Sequence, residues 1–441
     1  MTAGPVLRRG AAAAYGSGYA PPIVSSPSLW RHPDFMKLWA GQTVSELGSV
    51  VTRTAVPLVA LLVLGGGPLE MALIVVAGSL AVLLVGLFAG AWVDRLRRRP
   101  LLIAADSIRA LLLLSIPLAH VAGALRMEQL YVVTFAEGCL GALFDAAYPA
   151  YVPSLIGVER VVEGNSRLAT SSSIAEIGGP GLAGALVQLV SAPFAIFVDA
   201  VSFAVSAISL ALIRAPEPAR PPRTIASPIR GEIVEGLQLV RGHRVLFPMV
   251  ARSVVAHVAG SFYGVLYTIY LLNVLHLNPF LLGVVVSAGG IGSLVGSLFA
   301  SRVIGRLGLG RALIWTAIGA SALGLLTPLA GGPVLVATGM VLIPQLFGDG
   351  LQTIEEVAEI SLIQGLSPDR ILGRVNATVE VFSHGIAYPI GALAAAALAG
   401  WIGVRGGIAV GWAGMAASIL LLVLSPLPHI RRASDYAPTE G

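Results

Sequence analysis

The chain has 441 residues, 56% of them hydrophobic and only 12% charged, with a mean hydropathy of +0.85. Water-soluble domains carry about 25% charged residues, so a soluble fold of this length could not cover its own surface. The formal net charge of +5 is not pooled in a basic domain with aromatic reading residues, which argues against nucleic acid, and the single cysteine, Cys139, rules out an intrachain disulfide.

Residues 1–36 open the chain with an Ala, Gly, Pro and Ser-rich stretch without a signal-peptide apolar run, and are expected to form a disordered cytoplasmic tail. Apolar segments long enough to cross a hydrocarbon core of about 30 Å as helix then recur. They lie at 37–63, 70–93, 100–122, 127–150, 167–190, 193–213, 245–272, 280–302, 310–330, 333–360, 371–400 and 405–427. With the N-terminus in the cytoplasm, 23 of the 28 basic residues fall in the tails and cytoplasmic loops, whereas only Arg126 and Arg405 fall outside. Arg53, Arg109 and Arg252 lie within spans. This alternation predicts an all-α polytopic protein of twelve spans in the cell (inner) membrane, with both termini cytoplasmic and the lipid bilayer as its environment.

The segment 214–244 divides the chain into two six-helix halves, 37–213 and 245–427, followed by a tail at 428–441. Within the divider, Ile229, Ile233, Leu237 and Val240 recur at helical spacing and predict an amphipathic helix on the membrane surface. The halves resemble each other: PSLIGVERVVEGNSRL before span five parallels ISLIQGLSPDRILGRVNATV before span eleven. An internal repeat of this kind predicts two pseudo-symmetric bundles with a site at their interface.

Between spans two and three the sequence reads GAWVDRLRRRPLL, and span five contains AEIGGPGLAG. The first resembles the loop signature of the major facilitator superfamily through Gly90, Asp94, Arg95, Arg98 and Arg99, with Arg97 where the family has a second glycine. The second resembles the superfamily's antiporter motif through Gly179, Pro180 and Gly184. FDAAYPAYVPSLI and FVDAVSFAVSAISL are similar to the branch that includes enterobactin exporters and macrolide efflux proteins. The resemblance covers roughly residues 30–430 and implies a secondary transporter working by alternating access. It also implies a gate in which Asp94 faces the start of the eleventh helix near Asp369 to Gly373, and Arg98 bonds an acid of the fourth, here Asp145. The fourth-span motif departs from the family, with Thr134 in place of its arginine, so a proton mechanism through that arginine is not carried over.

Charge inside a membrane costs about 2.5–3.5 kcal/mol at helix centre on insertion scales, which makes intramembrane ionisable residues functional candidates. Those in the spans are Glu46, Arg53, Asp106, Arg109, Glu137, Glu176, Asp199, Arg252, His257, Asp349, Glu380 and His384. A proton-coupled carrier needs buried carboxylates or imidazoles of this kind, and Glu137 and Glu176, with Glu46 and Asp349, are the favoured coupling acids. The opposing reading is that Asp106–Arg109 and Glu46–Arg53 are fixed ion pairs that hold helices in register. Glu355, Glu356 and Glu359 are expected to face Arg302, Arg306 or solvent. Tyr263, Tyr267 and Tyr270 are equally compatible with a cavity wall or a core.

No His, Cys and carboxylate cluster has metal-ligand spacing, so no metal site and no cofactor are expected. The one lysine, Lys37, lies outside any phosphate-loop context, which excludes ATP as the energy source, and catalysis of an enzymatic kind is not expected. The resulting expectation is a monomeric, proton-coupled exporter of amphipathic small molecules such as drugs, macrolides or siderophores. An importer and a non-transporting receptor are the alternatives.

Overall fold

The computed structural model describes residues 29–217, 237–238, 240–367 and 369–431. The N-terminal tail to residue 28, most of the amphipathic helix expected within 214–244, and the end of the C-terminal tail lie outside them. Helices account for nearly all of the rest, because a backbone in lipid must satisfy its polar groups internally. In order they are α1 (Pro33–Leu58), α2 (Pro68–Arg95), α3 (Arg98–Val121), α4 (Met127–Ile156), α5 (Val161–Leu189) and α6 (Ala192–Ala211). The second half follows with α7 (Leu246–Ile269), α8 (Pro279–Leu307), α9 (Leu309–Gly324), α10 (Val334–Ile343), α11 (Asp349–Leu366), α12 (Asp369–Glu380) and α13 (Tyr388–Val423).

Ten helical stretches among the described residues are long and apolar enough to cross a membrane. Two features reconcile this with twelve. The longest, Val375–Val423, is broken at Gly403, whose φ of 76° belongs to the left-handed region that glycine tolerates, so it is two spans. α5 is not among the ten, since its Asn165, Ser166, Arg167, Thr170 and Ser171–Ser173 dilute its apolar character, yet it packs between α1 and α8 as a full-length helix. The tenth span is α10 joined to α11 through a π turn at Pro344–Gly348, and the eleventh is α12 joined to α13 through a π turn at Val381–Ala387.

The repeat is visible in local backbone. α1 ends in a π turn at Val59–Val63 and α2 begins with Pro68; α7 ends in a π turn at Tyr270–Val274 and α8 begins with Pro279. Both pairs are offset by 211 residues (270 − 59 and 279 − 68). In each, proline at the first helical position costs nothing, because its missing N–H would have had no intrahelical acceptor.

Within the first half, α1 packs on α5 and α6, α3 on α4 and α6, and α2 on α4; within the second, α7 packs on α13, and α8 and α9 on α11. The halves meet through α5 against α8 and through α2 against α7 and α13. The first contact is the tighter. A Cβ added at Gly184 would stand 2.3 Å from the Pro279 carbonyl oxygen, and one at Gly283 would stand 2.4 Å from that of Pro180. Only glycine permits backbones to approach this closely, which is how small residues hold membrane helices together. This contact lies near the face opposite the termini.

Candidate functional site

The intramembrane charges fall into two kinds. In the first half, Arg109 of α3 donates to Glu137 of α4 through both Nε, at 3.0 Å, and a terminal guanidinium nitrogen. Asp106 lies 3.9 Å from the same guanidinium and accepts from Ser206 of α6 at 2.6 Å, while Phe203 covers the guanidinium face at 3.9 Å. Asp199, one turn along α6, accepts from Ser202 at 2.7 Å and is fully enclosed. The local Asp106–Arg109 pair expected from sequence is therefore the weaker arm of a network whose closer acid is Glu137.

The second half has its own enclosed knot. Arg252 of α7 pairs with Glu355 of α11 and, at 3.5 Å, with Glu359 one turn further. This corrects the expectation that these acids face Arg302, Arg306 or solvent; Arg302 instead reaches the Leu298 carbonyl on its own helix. An arginine buried in a span requires an acid, and Glu355 with Glu359 at i, i+4 was the sequence signal that could have identified it.

The other kind of charge is open to the space between the halves. Arg53 of α1 does not pair with Glu46; it bonds Glu176 of α5 at 2.7 Å, and these side chains are 62% and 47% exposed although they sit near mid-helix. Glu46 instead accepts from Ser172 at 3.3 Å, on the wall of a cleft of about 250 Å³ lined by Gln42, Thr43, Glu46, Tyr148, Leu168, Ala169, Ser171 and Ser172. The polar stripe of α1 thus splits. Gln42 turns to Ser206 in the bundle interior, and Glu46 and Arg53 turn to α5.

Across the space, His257 of α7 and His384 of the eleventh span approach Nε2 to Nε2 at 3.1 Å, with Glu380 3.4 Å from His384 Nδ1. Asp349, at the junction of the π turn and α11, packs on Gly289 of α8, where a Cβ would come within 2.2 Å of its carboxylate. The tyrosines settle on the core side. Tyr263 donates to Gln345 at 2.6 Å and stacks on Tyr267, and Tyr270 donates to the carbonyls of Thr327 and Ala330.

The glycine-proline stretch in α5 makes the close contact between these parts. Gly179 lies against Val50 of α1, the Gly181 N–H donates to Ser287 of α8 at 2.9 Å, and Gly184 meets Pro279. Glu176, one turn earlier, places its backbone carbonyl 3.0 Å from the Cβ position of Gly290. At the end of α2, the surroundings of Gly90 and the side chain of Asp94 lie outside what the structure describes. Arg95 is exposed. Arg98 bonds the Ala150 carbonyl of α4 rather than Asp145, and Arg99 caps the end of α6 through the carbonyls of Leu210 and Ala211. Glu217, which no motif or spacing singles out, accepts from the backbone N–H groups of both arginines. Among the described residues no group of three His, Cys, Asp or Glu converges as metal ligands.

Two six-helix bundles repeated in the same orientation, packed on each other through α5 and α8 and through α2, α7 and α13, and carrying ionisable side chains within their spans, define a membrane carrier. The chain belongs to the Major Facilitator Superfamily, whose sequence profile matches residues 38–383, and this is a family of transporters rather than enzymes. It is 28% identical over 299 residues to the multidrug efflux pump Tap of Mycolicibacterium fortuitum, covering 65% of this chain and 71% of that protein. It is 24% identical over 216 residues to macrolide efflux protein A of Streptococcus pyogenes, covering 49% and 53%. Among solved structures, a bacterial homologue of the iron transporter ferroportin in its inward-facing state matches with a TM-score of 0.68 at 20% identity, covering 90% of this chain and 99% of that one. The outward-facing state of that homologue gives a TM-score of 0.52.

Proposed function

We propose that the protein is a proton-driven exporter of amphipathic small molecules of the drug, macrolide or siderophore type, working by alternating access as a monomer in the cell membrane with both termini cytoplasmic. The observation that carries this reading is the exposed Arg53–Glu176 pair, set on α5 one turn from the glycine-proline contact that joins the halves. An ion pair at that position is broken when Glu176 takes a proton, and the change is delivered to the helix that holds one face shut. The similarity to a multidrug efflux pump, Tap, and to macrolide efflux protein A supports the direction. The partly apolar cleft beside Glu46, with its aromatic and hydroxyl groups, suits an amphipathic molecule.

The loop arginines fit the same cycle. Arg98 on Ala150 leaves Asp145 to be engaged in the other state, with Asp94 as the partner of the eleventh helix, a latch that closes the terminal face. The halves 37–213 and 245–427 are then the moving bodies. The test is substrate-triggered proton flux in proteoliposomes, comparing wild type with Glu137→Gln and Glu176→Gln over a panel of amphipathic compounds. Flux lost in Glu176→Gln is the expected result. Unchanged flux in both variants overturns the coupling assignment, and no flux with any compound in wild type overturns transport itself in favour of a receptor role.

A further inference from the structure

The histidine pair between α7 and the eleventh span has a proton count that can be worked out from its partners. His257 Nδ1 is 2.7 Å from the Ser253 carbonyl oxygen. A carbonyl only accepts, so Nδ1 carries the hydrogen, and Nε2 of the neutral ring is a bare lone pair. His384 Nδ1 faces the Glu380 carboxylate at 3.4 Å, which draws the hydrogen of that ring to Nδ1 as well. Two neutral rings would then oppose lone pair to lone pair across 3.1 Å, a hydrogen-bond distance without a hydrogen. One added proton between the two Nε2 atoms removes the conflict. With it, His257, His384 and Glu380 together are neutral; without it, they carry one negative charge.

The surroundings connect this proton to motion. His384 and Ser383 sit in the seven-residue π turn Val381–Ala387, a backbone form concentrated at functional sites. Ser383 is linked at 3.1 Å to Ser253, on the same α7 turn that orients His257. Losing the proton therefore sets α7 and the eleventh span against each other at the point where the eleventh span is least regular. Gly385, in the same turn, packs on Leu83 of α2, so this turn also touches the other half. The other charged groups facing the pair are Arg252 on α7 and Glu356 on α11. Arg252 is held by Glu355 and Glu359, and Glu356 is exposed. His384 and Glu380 are 55% and 59% exposed, so the pair is not closed off by the helices around it.

We propose that His257, His384 and Glu380 form a one-proton site that holds a coupling proton in the second half, and that its occupancy fixes the eleventh span against α7. This rests on the proton-driven reading above, and three measurements separate the two. First, solution or solid-state NMR of ¹⁵N-histidine in the full-length protein reads the ring hydrogens directly. Three N–H groups on the pair and a single joint transition with pH are expected, and two independent transitions would overturn the site. Second, proton uptake by the detergent-purified chain between about pH 8 and pH 6 should fall by one per molecule in the double variant His257→Gln/His384→Gln, because either ring alone still binds a proton. A fall of two would overturn the sharing. Third, both single variants should lose gradient-driven accumulation in proteoliposomes while keeping exchange of the same compound without a gradient.

Accumulation unchanged in the variants overturns the coupling role and leaves the exporter intact. Wild type that ignores the proton gradient overturns the proton-driven reading, whatever the NMR shows. Tight Zn²⁺ binding that needs both histidines, in a pair that titrates no shared proton, would make this a metal site and overturn the proposal.

Discussion

The enclosed charges and the open ones use the same chemistry and are built for different ends. Arg109–Glu137 and Arg252–Glu355 are packed among helices of a single half, each with a second acid nearby. Arg53–Glu176 and His384–Glu380 stand exposed at the space between the halves. The first set holds a bundle together and cannot be opened cheaply. The second is exposed and weak in stability, as the proposed coupling role requires. What separates an enclosed ion pair from an open one in this fold is thus the side of the helix it occupies, not its residue types.

Four experiments bear on this contrast. The largest effect is expected at the enclosed knot: Arg252→Ala strands Glu355 and Glu359, and an unpaired buried charge of this kind costs about 3–5 kcal/mol. Thermal unfolding in detergent should show it as a large drop in Tm, and a Tm within error of wild type would show that the pair is not a lock. Gly184→Val comes next, because the new side chain would strike the Pro279 backbone; overpacking costs about 1–3 kcal/mol. Here the strain falls between halves, so electron-spin distances between labels on α5 and α8 should widen at the face opposite the termini while the fold persists.

Glu176→Gln is expected to move stability by less than about 1 kcal/mol, as for exposed pairs, and yet to abolish proton-linked flux. A large Tm loss there would place the pair with the enclosed set. The smallest effect belongs to His243, outside the membrane, whose Nδ1 accepts from the N–H groups of Val245 and Leu246 at the start of α7. Burial holds this imidazole below its ordinary 6.5. The neutral ring's contribution is complete above that value and is lost as the pH falls through the lowered one. Tm should therefore decline slightly more steeply for wild type than for His243→Asn between about pH 8 and pH 5.

Hydropathy and arginine placement made the spans legible, since a hydrocarbon core imposes length and apolarity on every crossing segment. The repeat was legible too, and structure adds the matching π turns at Val59–Val63 and Tyr270–Val274. The list of intramembrane charges was also complete in the sequence for Arg53, Glu176, His257 and His384. Their partners were not. Sequence spacing offers Glu46 to Arg53 and Asp106 to Arg109, because only neighbours on one helix can be counted. Arg53 joins Glu176 across 123 residues, Arg252 reaches Glu359 across 107, and His257 meets His384 across 127.

By itself, then, the sequence determined that this is a helical membrane carrier and which side chains bear charge inside it, because solvation by lipid acts on each segment independently. Only the tertiary structure decided which charges are enclosed and which face the space between the halves. That depends on how each helix is rotated against its neighbours, and the rotation is set by close contacts such as Gly184 on Pro279 rather than by any residue's own preference.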